Sequence, residues 1–200
     1  MRDRVERYAK TLAVAILLMA SVFFVGHAAF ACGYHNPSDV ARGVMNFIFP
    51  KSLYVRTAVW QAQHSGVLPP RQRKAAKDLF AYQRDVSNLQ KLGARLAAPS
   101  REEGDFALVL LDSMLWTRFV SEPDSYTVTA HAKGPEKGDA VLVTEAVVIK
   151  ALLDGSIHTS AAEAQGLFRL YGPIERQAAT REALRGLSAP SSAASLEKPR

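Results

Sequence analysis

An α+β domain, with a helical N-terminal half packed on an antiparallel-rich sheet, is the fold class this sequence predicts, and three observations predict it. Residues 36–98 carry apolar side chains at gaps of three and four, the spacing of amphipathic helices. From Phe106 the pattern changes to short apolar or alternating runs separated by turn residues, which marks strands. Between Gly138 and Gly172 the period changes twice more and specifies strand, helix, helix, strand.

Pro37-Ser38-Asp39 looks like a helix start, and Pro50 stops that helix. Ser52 can begin another, running to the Ser65-Gly66 break before Pro69-Pro70. From Arg71 onward Ala75, Leu79, Tyr82, Val86, Leu89 and Leu96 form the longest amphipathic stripe, with one turn interrupted at Gly93. One stripe of about three heptads without regular flanking charge pairs favours packing inside the domain over a coiled-coil seam. Arg71, Arg73, Lys74 and Lys77 crowd the start of that helix, where the dipole prefers negative charge. They read as a solvated face, or as a collar for phosphate or carboxylate.

Pro99 to Asp105 is a polar linker. Phe106 to Leu111 is apolar on both faces and should be covered on both sides, and Met114 to Val120 continues the strand pattern. Tyr126 to Ala132 alternates as a half-buried strand, with Thr127 and Thr129 on one side and Val128 on the other. Ala140 to Val143 suits a buried strand, and Thr144 can cap a helix from Glu145 to Asp154 that Gly155 ends. Ser160 to Glu163 has capping-box spacing for a short helix closed by Gly166, and Leu167 to Tyr171 reads as a strand. Pro173 opens a last helix that reaches about Leu187, and residues 188–200 have the composition of a disordered tail.

Arg2, Arg4, Arg7 and Lys10 precede the apolar Leu12 to Val25, and Ala29-Phe30-Ala31 fits a small-residue cleavage site. Residues 1–31 are therefore expected to be a signal peptide and residues 32–187 a single domain, periplasmic or secreted; an uncleaved anchor is the rival. Cleavage after Ala31 leaves Cys32 first, as in a lipoprotein of the outer or inner membrane, although Ala29 and Phe30 fit a lipobox poorly. Cys32 is the sole cysteine, so it has no internal disulfide partner. Cys32 and His35 could share a metal ion, but two ligands do not close a four-coordinate site, and neither metal nor cofactor is expected.

The 200 residues carry a net charge of +6; residues 1–31 hold four basic and two acidic residues, so +4 remains without them. On an exported chain that modest charge points to anionic headgroups or acidic partners, not nucleic acid. Membrane contact is expected only through the signal peptide or a lipidated Cys32.

The strand pattern around Leu115-Trp116, the Gly138-Asp139 strand, the helix ending Leu152-Leu153-Asp154-Gly155, and Ala164-Gln165-Gly166-Leu167-Phe168-Arg169-Leu170-Tyr171-Gly172 together resemble sterol carrier protein type two-like domains, over residues 106–187. The resemblance implies a sheet with helices on one face and an apolar tunnel for a lipid. No metalloprotease, nucleophile-elbow, dinucleotide or phosphate-loop motif is present, and Asp112, Ser113, His131 and His158 offer only residue types that a hydrolytic triad also uses. No enzyme activity is expected. Two functions follow: an envelope carrier that binds an apolar or lipid ligand through Phe106, Leu108, Trp116, Phe119 and Phe168, or an accessory protein that binds another envelope protein through its helical half, those residues then being core.

Overall fold

The computed structural model describes residues 44–70, 80–96 and 104–188. Residues 44–48 are helical, and α1 (Ser52–His64) and α2 (Ala81–Arg95) complete the described helical half. The strand-rich half runs β1 (Phe106–Leu110), β2 (Leu115–Ser121), β3 (Tyr126–Ala130), β4 (Ala140–Thr144), α3 (Ala146–Leu153), α4 (Thr159–Ala164), β5 (Arg169–Tyr171) and α5 (Ile174–Arg185), with a 3₁₀ turn at Gly186–Ser188. The fold is α+β. Its five strands lie in the order β3-β2-β1-β4-β5, and every pairing is antiparallel except β1 with β4.

Side chains opposite one another across a sheet share a face, so the register sorts the core. Phe106 pairs with Phe119 and Phe119 with Val128, which places these three, with Leu108, on one face. Phe106 and Phe119 stack at 4.6 Å, and Phe106 meets Tyr126 edge-on at 5.6 Å. α2 covers this cluster: a methyl group at Gly93 would lie 2.2 Å from Val128 Cγ2 and 3.6 Å from Phe119 Cε1. Gly93 does not interrupt the helix, which continues to Arg95; it is where helix and sheet touch most closely.

The opposite face carries Ala107, Val109, Trp116, Arg118, Val141, Val143 and Tyr171. Phe49 rests on it, 6.1 Å from the Trp116 ring and 5.3 Å from that of Tyr171, and the Tyr171 hydroxyl donates to the Pro50 carbonyl at 2.8 Å. The chain enters α1 directly afterwards. The sheet is thus covered on both faces, as the doubly apolar β1 requires, and Phe106 to Leu111 are all at most 1% exposed.

β3 and β4 run in the same direction, since each is antiparallel or parallel to β1 through its neighbours, so residues 131–139 must cross the sheet without a helix. Arg118 pins that crossing. Its guanidinium reaches Glu136 and Asp139 in the connection and Asp105 at the foot of β1, and the Ser121 N–H donates to Asp105 at 2.9 Å.

Two helix starts differ from the local expectation. Thr144 is the last residue of β4 and does not cap α3; its hydroxyl donates to the Leu167 carbonyl at 3.0 Å, tying β4 to the approach of β5. The α3 start is met from a distance by Asp112, whose carboxylate accepts the Ala146 N–H at 3.4 Å. α4 begins at Thr159 after His158, so Ser160 lies inside the helix and not at its cap, no capping-box bond forms, and Glu163 pairs with Arg181 at 2.7 Å. Gly155 and Gly166, at φ 71° and 69°, end their helices in the left-handed conformation as expected.

Burial, reinforced by the Asp105 carboxylate, pushes the Tyr126 phenol from 10.0 up to about 12. Above pH 10 the unfolded chain releases this proton while the folded chain holds it. Stability is therefore full below pH 10 and falls as pH rises through 12, by on the order of 2 kcal/mol. Chemical denaturation at pH 9 and pH 11 should show about half of that fall, since pH 11 lies midway between the two values, and Tyr126→Phe should flatten most of it, leaving the contribution of Tyr171, also raised by burial. An equal alkaline slope in the Phe variant would show that other groups carry it.

Candidate functional site

The described residues enclose a cleft of about 780 Å³ between the C-terminal end of α1, one side of α2 and the first turns of α3. Gln63, Pro69 and Pro70 form one wall. Arg84, Asn88 and Lys91 line a second at i, i+4 and i+7 along α2, and Gln83 and Phe80 widen its mouth. Asp112, Glu145, Val147 and Lys150 form the third. α2 and α3 are held together beyond the cleft, where Arg95 donates to the Leu153 carbonyl at 2.6 Å and complements the negative end of α3.

Glu145 at the rear is 7% exposed and pairs with Arg56 of α1 at 3.2 Å. This pair fastens the helix on one sheet face to the segment leading out of β4. Lys150 is paired with Asp154 across one turn of α3. The walls hold cations and carboxylates side by side with proline, phenylalanine and valine surface. Most of the surface that lines the cleft is apolar, and the charged groups stand at intervals along it.

None of the five residues expected to bind an apolar ligand lines this cleft. Phe106, Leu108 and Phe119 are 0% exposed on the α2 side of the sheet; Trp116 lies on the other face against Phe49; Phe168 is buried just before β5. The fold brings the first three together as packed core and separates Trp116 from them. Asp112 and Ser113 occupy the β1–β2 turn, His131 lies beyond β3 with its ring 5.0 Å from Tyr82, and His158 precedes α4. Ala29, Ala31, Cys32 and His35 lie outside the described residues, as do Arg71, Arg73, Lys74 and Lys77. Among the described residues no group of three His, Cys, Asp or Glu side chains could hold a metal ion, and no helix is long and apolar enough to cross a membrane.

Sequence reasoning passed over Gln83, Asn88, Lys91 and Lys150. The polar stripe Arg84, Asn88, Lys91 was readable from its spacing; that α3 would close the third wall was not, because it depends on the Asp112 and Glu145 contacts made across the fold.

No family model and no curated protein matches the chain. Among solved structures it is similar to a conserved hypothetical protein from Thermus thermophilus whose description suggests a sterol carrier protein, at 19% identity and a TM-score of 0.35, over 60% of this chain and 96% of that one. The likeness of this chain to sterol-carrier-like domains is of that degree.

Proposed function

We propose that this chain is a non-catalytic, exported protein of the bacterial envelope that binds another envelope protein through its helical half, with the cleft between α1, α2 and α3 receiving the partner. One observation carries the choice over an apolar-ligand carrier. Both sheet faces are filled by the chain's own segments, α2 against Phe119 and Val128 and Phe49 against Trp116 and Tyr171, so the side chains suited to a lipid are engaged as core. The open surface lies in the helical layer, and its mixed charges favour a partner recognised by register and charge complementarity.

The test is site-specific photocrosslinking in intact cells of the source bacterium. A photoreactive residue at exposed Gln83 should give a discrete protein adduct, whereas one at exposed Glu175, away from the cleft, should not. Reversing Lys91 and Lys150 to glutamate should lower the Gln83 adduct about fivefold or more, since like charges facing each other across an interface oppose docking. Absence of a cleft adduct, together with stoichiometric lipid in protein purified from the envelope, would replace this reading with the carrier.

A further inference from the structure

Nine large apolar side chains are exposed among the described residues, and six of them, Val44, Phe47, Ile48, Leu53, Tyr54 and Trp60, fall between residues 44 and 60. They fall on two helical segments in direct succession. The Asn46 side chain accepts the Leu53 N–H at 3.3 Å and holds the helical residues 44–48 against the start of α1. Leu53 and Trp60 lie seven apart on the outer side of α1, opposite its buried Val55, Val59 and Ala62. Phe47 is 88% exposed and Trp60 54%, and the Trp60 ring is propped at 3.9 Å by His64. Exposed apolar surface this concentrated marks an interaction site.

The charge of the same stretch identifies the occupant. Residues 44–60 contain no aspartate or glutamate and two bases: Lys51, exposed at the junction of the helical residues 44–48 with α1, and Arg56, which pairs with Glu145. Aromatic and aliphatic side chains on a strip without acids and with an exposed lysine among them are the composition of a surface that sits at lipid headgroup level. An anionic leaflet attracts the lysine, and a basic protein surface would be repelled. We propose that residues 44–60 form a docking face for an anionic bilayer, with Phe47, Ile48 and Trp60 entering the interface and Lys51 meeting headgroup phosphates. The inference does not depend on the partner in the cleft, since none of the six exposed apolar residues lines it.

Trp60 provides the readout. The full chain is mixed with phosphatidylglycerol–phosphatidylcholine vesicles, and the Trp60 contribution is taken as the difference between the native chain and Trp60→Phe, a change at an exposed position that leaves the core intact. Trp60 emission should shift to the blue and its acrylamide quenching should fall about threefold, as for an indole moved from water into the interface. Phosphatidylcholine alone, or high salt, should reduce both changes, and Phe47→Asp with Ile48→Asp should raise the lipid needed for half the shift about tenfold. Three outcomes would overturn the proposal. Trp60 could stay fully quenchable while the chain sediments with vesicles, which would mean the N-terminal apolar stretch binds and this face does not. Trp60 could be protected equally on neutral and anionic vesicles. It could also become protected with rising protein concentration and no lipid, which would assign the face to a second copy of the chain.

Discussion

Phe119→Ala should lower the unfolding free energy by about 3–5 kcal/mol, the cost of truncating a fully buried aromatic side chain. Phe119 is 0% exposed, stacked on Phe106 at 4.6 Å and covered by α2. The loss combines the transfer of the ring to water in the unfolded state with the cavity its absence leaves under Gly93. Chemical denaturation of both proteins measures it, with and without a saturating fatty acid. A pocket residue would behave otherwise: its truncation would cost little stability and abolish saturable binding. A loss below ~1 kcal/mol accompanied by lost fatty-acid binding would refute the assignment of this cluster to the core.

Gly93→Ala should also destabilise, by about 1–3 kcal/mol, although alanine in an exposed helix gains about 1 kcal/mol over glycine. The added methyl would meet Val128 Cγ2 at 2.2 Å and the Tyr126 carbonyl oxygen at 3.2 Å, and neither the β-branched side chain nor the strand backbone moves cheaply. Val128→Ala removes the nearer obstacle. The double variant should therefore be more stable than the sum of the two single losses predicts, and that interaction term in a double-mutant cycle is the measurement. Strict additivity would mean that α2 does not approach β3 at this position.

The strands, their order of appearance and the helices from Ser52 and Pro173 were legible because each is written in local spacing and most are set off by Pro or Gly. β1 declared its own environment: five successive apolar residues need cover on two sides, and they have it. What local spacing could not supply was the choice between partners competing for one group. Thr144 has the chemistry of a helix cap, yet the Leu167 carbonyl takes its hydroxyl and Asp112, 34 residues before Ala146, serves the helix instead. Gly93 looked like a break for the same reason, since a missing side chain reads as weakness until the strand that needs the space is in view. The five candidate ligand residues were recognised as apolar and grouped by type; register alone distributes Trp116 and Phe119 to opposite faces.

The helix-free crossing between β3 and β4 also imposes an order of assembly. β1, β2 and β3 are joined by connections of a few residues, so this meander closes its loops at small entropic cost. The β1–β4 pairing instead unites Phe106 with Ala140, 34 positions along the chain, and must wait until the intervening residues have turned back across the sheet. Contacts of such separation dominate the folding time of small domains. Until β4 arrives, the edge of β1 that receives Val141 to Val143 stands open in the nascent protein, and Arg118 has Asp105 beside it before Asp139 is brought in. The interval before that strand docks is when the chain is most exposed to pairing with its neighbours, and under the export proposed above that interval falls outside the cytoplasm, where folding factors of the envelope would meet it.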